Sequence, residues 1–158
     1  TDVVTEIEEI VAGFEPLAEA QGMTITTRLR PGLVADVDRS ALRQILLNLL
    51  DNAVRYGPRG QTVVVAAAPA TEDTWTLEVS DAGPGIPPAE RERIFDPYYR
   101  LARDAGGAVG GTGIGLAVVR RLATEHGGDV HVAPAGDGAT GACFVVSLPL
   151  TMPHRGGE

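Results

Sequence analysis

Apolar residues Val3, Val4, Ile7, Ile10, Val11, Phe14, Leu17 and Ala18 recur at steps of three and four, the spacing that gathers side chains into one stripe of a helix. The stripe predicts a helix from the start of the chain to about Gly22. Residues 24–29 read as a strand, and residues 34–37 as a short extended piece after the Pro31-Gly32 turn. Asp38 is placed to cap a second helix running to Tyr56, with Leu42, Ile45, Leu46, Leu49, Leu50 and Ala53 as its buried side. Gly57-Pro58-Arg59-Gly60 stops it. Two β-rich runs, 62–68 and 74–80, flank a polar turn and predict a hairpin.

Pro87-Pro88 suits the first turn of a short helix over 88–95, with Glu90 and Glu92 near its positive end. Residues 96–111 show no period. A third long helix is expected over 114–126, with Ile114, Leu116, Ala117, Val118 and Leu122 as packing residues and Gly127-Gly128 as its stop. Strands 129–133 and 141–150 complete the pattern. Three long helices and about five mostly antiparallel strands with hairpin connections predict an α+β fold, a two-layer sandwich rather than alternating βαβ units.

Composition narrows the function by exclusion. The 158 residues, 44% apolar and 22% charged, suit one globular domain with its own core. No apolar run approaches the roughly 18 residues needed to cross a bilayer, and the early acidic residues do not form a signal peptide, so a soluble piece is expected. A formal net charge of −8 argues against a nucleic-acid surface, which needs clustered cations. Basic residues gather only at Arg91, Arg93, Arg100 and Arg103. The lone Cys143 cannot form an internal disulfide and is expected to be a buried structural thiol, consistent with a reducing compartment. His126, His131 and His154 have no metal-site spacing, and His126 suits a helix C-terminus.

Three polar or glycine-rich segments carry the candidate chemistry. Asn48 and Asn52 are four apart and share a helix face with Gln44 and Arg55. That face is either a solvated stripe or, because Asn is a poor helix former and its amide oxygen a hard neutral ligand, a place for Mg²⁺. Asp81 opens the turn Asp81-Ala82-Gly83-Pro84-Gly85 after a strand, either as a plain Asx-turn or as a carboxylate facing a planar ligand. Gly111, Gly113 and Gly115 precede a helix N-terminus, where free amides favour an anion. A Rossmann dinucleotide turn would need a strand directly before Gly111, and residues 101–110 have little β-forming character.

In order and spacing, Asn48-x-x-x-Asn52, Asp81-Ala82-Gly83-Pro84-Gly85-Ile86, Ile94-Phe95-Asp96-Pro97-Tyr98-Tyr99-Arg100 and Gly111-Thr112-Gly113-Ile114-Gly115-Leu116 resemble four sequence boxes of one family. These are the N, G1, F and G2 boxes of the catalytic ATP-binding domain of bacterial sensor histidine kinases, within the superfamily of gyrase, Hsp90 and MutL. The resemblance covers residues 38–150. It implies ATP and Mg²⁺ as cofactors. Asp81 would accept a hydrogen bond from the adenine N6 amine, where guanine presents an acceptor instead, so ATP is expected over GTP. Asn52 would coordinate the metal with Asn48 in support. Arg55, where the family usually has Lys, would reach a phosphate oxygen. The nucleotide would also be lined by Tyr56, Gly83, Gly85, Ile86, Tyr99, Gly111, Thr112, Gly113, Ile114, Gly115 and Leu116. Residues 97–111 would form a flexible lid carrying Arg100 and Arg103 over the γ-phosphate, although Asp96 and Tyr98 replace the commoner Glu and Phe.

The resemblance further implies transfer of the γ-phosphoryl group to a histidine of a separate dimerisation and phosphoacceptor domain, in two-component signalling. Asn48, Arg55 and Arg100 would be the catalytic set. Members that hydrolyse ATP carry Glu at the position of Asn48, and an amide cannot take water's proton. Residues 1–150 are expected to be the catalytic domain and 151–158 a tail, with the dimerisation domain upstream and absent from this chain. Partners would be that domain, through which the parent forms a homodimer, and a response regulator, with no nucleic acid. The domain would be cytoplasmic, within a parent that can be an inner-membrane sensor. Two rivals stay open: a serine kinase of the anti-sigma-factor type, and a nucleotide-binding regulatory module without kinase activity.

Overall fold

Asp2 and Asp38 start the first two helices in the same way. Each lies in extended backbone, and its carboxylate accepts an amide three residues on, Thr5 N–H at 3.2 Å and Ala41 N–H at 3.0 Å. The Ala41 bond, foremost among several influences, holds the Asp38 carboxyl below its ordinary pKa. The computed structural model describes residues 1–83, 85–96, 115–133 and 141–151. Within them run α1 (Val3–Ala20), β1 (Thr24–Leu29), α2 (Arg39–Tyr56), β2 (Thr62–Pro69), β3 (Thr74–Ser80), α3 (Gly115–Glu125), β4 (Asp129–Ala133) and β5 (Cys143–Pro149).

The five strands form one sheet in the order β1-β2-β3-β5-β4. β1 and β2 are parallel, joined through α2, and every other pair is antiparallel, including the expected β2–β3 hairpin with Val65 opposite Val79. Alternation sends Val63, Val65, Ala67, Trp75, Leu77, Val79, Val130, Val132, Phe144, Val146 and Leu148 to one face, where all are buried. The helices cover that face, with α2 packed between α1 and α3. The result is the α+β two-layer sandwich expected from the pattern.

Three local expectations need correction. Leu17, placed in the buried stripe of α1, is 62% exposed: it lies roughly 70° round the helix from the stripe's centre, and nothing covers that edge. Within the short extended piece 34–37, Val34 makes an isolated bridge with Asp2. The segment 88–95 is two 3₁₀ turns, Pro88–Glu90 and Arg93–Phe95, rather than one helix. The residue before Pro97, Asp96, lies in extended backbone, which ends the segment there. Cys143 is half-buried, because the alternation along β5 sends it to the outer face of the sheet, with Sγ 3.8 Å from Glu78 Oε1. Burial, with the Glu78 carboxylate adding to it, pushes its thiol up, so it is a poor thiolate.

Two glycines give opposite expectations. Gly128 lies where a Cβ would collide with the Ser147 carbonyl oxygen, so Gly128→Ala should destabilise by about 1–3 kcal/mol. Gly13, exposed within α1 with open space about it, should accept Ala with a gain of about 0.5–1 kcal/mol. Urea titration followed by fluorescence of Trp75, the single and fully buried tryptophan, measures both. Equal midpoints for the two variants would refute the packing described.

Candidate functional site

The apolar stripe of α2 decides where its polar residues point. Leu49 and Ala53 are sealed in the core, so Asn48 and Asn52 lie half-buried at its margin, while Gln44 and Arg55 are exposed. Arg55 pairs along the helix with Asp51, Nε to Oδ2 2.8 Å. The start of α3 meets this margin: a Cβ on Gly115 would stand 4.0 Å from Asn48 Cγ. Leu116 is half-buried beside the core. The structure thus brings one residue of the downstream glycine segment against the amide stripe.

Asp81 follows the last residue of β3. Its Oδ1 accepts two backbone amides, Gly83 N–H at 2.8 Å and Ala142 N–H at 3.1 Å, and its own N–H donates to the Ala142 carbonyl at 3.0 Å. Oδ2 has no protein hydrogen-bond partner among the described residues. One oxygen therefore fixes the carboxylate. Burial raises the Asp81 pKa above its ordinary 3.8, and the two amide bonds only partly oppose this.

Glycine makes the close approach of Asp81 to β5 feasible. Gly141 has φ +106, and a Cβ there would collide with the Asp81 carbonyl; Gly85, at φ +77, would bring its Cβ to 3.0 Å from the Gly141 oxygen. Gly83 is buried, Gly85 and Ile86 are half-buried, and Arg91 Nε donates to the Ile86 carbonyl at 3.1 Å. The Asp81 turn is tied to α2 by Gln61, whose Oε1 accepts Ala82 N–H at 3.0 Å while Nε2 donates to the Ala53 carbonyl at 2.7 Å. Sequence reasoning passed over Gln61 and Ala142 and read Gly141 only as the start of a strand. Each acts through a contact distant in sequence, and only the hydrogen-bonding side chain of Gln61 at a strand start offered a signal.

Phe95, which the sequence allowed as a core aromatic, is buried edge-on to Phe144 with ring centroids 6.3 Å apart. Tyr99, Arg100, Gly111, Thr112, Gly113 and Ile114 lie outside the described residues, as do the rest of the expected lid, Pro84, Tyr98, Arg103 and the side chain of Tyr56. Among the described residues no group of three His, Cys, Asp or Glu could hold a metal. His126 ends α3 with Nδ1 2.8 Å from the Leu122 carbonyl, the position expected of it, and Nε2 3.8 Å from Asp38 Oδ2. No helix among the described residues is long and apolar enough to cross a membrane.

A sheet backed by three helices, with a fixed carboxylate at the end of β3 and paired amides on α2, places the chain in a known class. Residues 37–152 match the family of histidine kinase-, DNA gyrase B- and HSP90-like ATPases, and the chain belongs to that family. It is 35% identical over 145 residues to the sensor histidine kinase TmoS of Ectopseudomonas mendocina, covering 92% of this chain and 15% of TmoS. It is 42% identical over 120 residues to the adaptive-response sensory kinase SasA of Trichormus variabilis, covering 76% of this chain and 28% of SasA. The chain therefore spans less than a third of these relatives. Among solved structures, the mycobacterial sensor histidine kinase MprB superposes with a TM-score of 0.78 at 29% identity, covering 97% of each chain. Full-length ShkA in complex with AMPPNP gives 0.82 at 29%, over 98% of this chain and 31% of ShkA. ThkA in complex with response regulator protein TrrA shares the fold, with a TM-score of 0.78 at 22% identity over 96% of this chain and 41% of ThkA. The chain thus carries an ATPase domain of the kind found in sensor histidine kinases.

The burial of Asp81 has a consequence for stability. The native state holds this proton more tightly than the unfolded chain, whose carboxyl titrates at 3.8, so the group's contribution to stability falls as pH rises from 3.8 through the native pKa and is level above it. At neutral pH the ionised carboxylate is a net cost. Asp81→Asn, which keeps an oxygen for Gly83 and Ala142, should therefore unfold at a higher temperature than the parent at pH 7 without nucleotide. The difference should shrink as pH falls toward 3.8. Thermal melts across that range are the check, and a deficit unchanged with pH would contradict the assignment.

Proposed function

We propose that this chain binds Mg²⁺-ATP and transfers the γ-phosphoryl group to a histidine of a separate dimerisation and phosphoacceptor domain, in two-component signalling. The observation that carries the reading is the half-committed Asp81 carboxylate: Oδ1 is held by Gly83 and Ala142 amides, and Oδ2 is left to accept from the adenine N6 amine. Across the site, Asn48 and Asn52 offer neutral amide oxygens beside the start of α3. Those residues fit a Mg²⁺ that arrives with phosphate oxygens, since such an ion keeps several non-protein ligands and needs no acidic cage. Asn52 would hold it, with Asn48 in support, and it would neutralise charge on the β- and γ-oxygens.

Arg55 would exchange Asp51 for a phosphate oxygen. Its present pair is exposed and contributes about 0.3–0.5 kcal/mol, little to set against a charged ligand. Arg100 would stabilise the transferring group, with Tyr56, Gly83, Gly85, Ile86, Tyr99, Gly111, Thr112, Gly113, Ile114, Gly115 and Leu116 lining the nucleotide. Asn48 cannot act as a base toward water, which favours transfer over hydrolysis. Residues 1–150 would form this catalytic unit of a longer sensor, whose response regulator receives the phosphoryl group, as the partner named for ThkA suggests by analogy. The AMPPNP bound to ShkA supports the choice of nucleotide.

Titration calorimetry should show Mg²⁺-dependent binding of ATP and ADP, with GTP weaker by roughly 5- to 150-fold from the unpaired acceptors at guanine O6. Asn52→Ala should mainly weaken the metal dependence. Given labelled ATP alone, the chain should neither label itself nor hydrolyse quickly; with a dimerisation domain supplied, it should form an acid-labile, base-stable phosphohistidine there, reduced by Arg100→Ala. Equal ATP and GTP affinities would sink the adenine assignment. Acid-stable phosphoserine on a partner would favour the anti-sigma type of kinase, and tight ATP binding without transfer would favour a regulatory module.

A further inference from the structure

Gln61 is the one polar side chain buried among the described residues, at 6% exposure, and both ends of its amide are used. Nε2 donates to the Ala53 carbonyl at 2.7 Å and lies 3.7 Å from Met23 Sδ; Oε1 accepts Ala82 N–H at 3.0 Å. Ala53 follows Asn52 on α2, and Ala82 follows Asp81 on the turn after β3. The amide therefore joins the residues next to the two groups assigned to opposite ends of a nucleotide.

The surroundings hold this amide in place. Gln61's backbone is fixed on both sides, its N–H donating to the Pro58 carbonyl at 3.3 Å and its carbonyl accepting Thr24 N–H at 3.0 Å. Gly57 gives the side chain its room: a Cβ at that position would collide with the Gln61 carboxamide, although the backbone there, φ −88 and ψ 161, would accept any residue. The neutral amide answers both neighbours, since it presents a donor to one and an acceptor to the other. A carboxylate would set an acceptor against the Ala53 oxygen, and an apolar side chain would leave both backbone groups without this partner.

We propose that Gln61 is a positioning residue that sets the separation between the adenine-contacting turn at Asp81 and the phosphate- and metal-contacting face of α2. The inference rests on the nucleotide reading above and adds a specific dependence: ligands that span both halves need Gln61, and ligands that touch one half do not. Asp81 keeps its own bonds to Gly83 and Ala142 when Gln61 is changed. The adenine contact alone therefore survives.

The test compares Mg²⁺-ATP, followed by calorimetry, with adenosine, followed by NMR chemical-shift titration, for the whole chain and for Gln61→Ala, Gly57→Ala and the double variant. Each single variant should bind Mg²⁺-ATP roughly five- to tenfold more weakly, the worth of one or two buried hydrogen bonds, while adenosine affinity changes by less than about twofold. Gly57→Ala acts by expelling the carboxamide, so the double variant should be no weaker than Gln61→Ala. Parallel losses for ATP and adenosine in folded variants, unchanged ATP affinity, or additive losses in the double variant would overturn the proposal. A parent that binds ATP but not adenosine would overturn it too. A parent that binds neither would instead overturn the nucleotide reading, and this inference with it.

Discussion

Leu42, Ile45, Leu46, Leu49, Leu50 and Ala53 are each all but sealed from solvent, and because a helix turns about 100° per residue, seating all six leaves α2 no freedom to rotate. Asn48 and Asn52 are thereby held at the margin of the stripe. Were the helix to roll so that both amides met solvent fully, Ile45 and Leu49, the buried residues on the same edge, would leave the core. Fully exposing one such side chain costs about 1.5–3 kcal/mol, more than the few tenths that a pair on the surface of a helix can return. The position of the proposed metal-facing amides is thus a by-product of hydrophobic burial, and the start of α3, set against Asn48, inherits it.

Asp81 shows the opposite balance. Its burial raises its pKa, and two backbone amides reduce the penalty without removing it. A carboxylate kept for structure would be expected to use both oxygens; here Oδ1 is shared by two amides and Oδ2 has no partner among the described residues. The fold tolerates this because Gly141 lets β5 approach close enough for the Ala142 amide to reach the carboxylate.

Wherever a feature depends on neighbours along the chain, it was legible in the sequence. The stripe of α2, the Asp38 cap and the β2–β3 hairpin all follow from spacing or from local backbone chemistry. Leu17 was misplaced because periodicity marks a stripe without saying how wide the opposing surface is. Cys143 was misplaced because an apolar neighbourhood in sequence does not tell which face of a sheet a residue takes. The turns at Pro88–Glu90 and Arg93–Phe95 were legible as helical and not as divided, since the effect of Pro97 on Asp96 acts against a weak local preference. Gly141 was not legible beyond the start of a strand, and Gln61 offered only a polar side chain at a strand start. Gln61 acts on residues 8 and 21 positions away, and Ala142 reaches Asp81 across 61; no periodicity carries such contacts.

The two sides of the stretch between Asp96 and Gly115 are held to one another independently of that site. Arg120 of α3 stands 4.9 Å over the Phe95 ring, its Nη2 is 2.9 Å from Glu92 Oε2 and its Nε 3.8 Å from Asp129 Oδ1. Phe95 in turn meets Phe144 of β5 at an interplanar angle of 87°. A guanidinium over an aromatic face contributes about 0.5–1 kcal/mol at an exposed site and more when partly desolvated, and the buried ring adds its packing. The anchors before and after the segment are therefore joined through Arg120 and Phe95, while Asp81 is tied to α2 through Gln61. These two ties share no hydrogen bond, so a change at the Arg120–Phe95 contact need not loosen the Asp81 carboxylate.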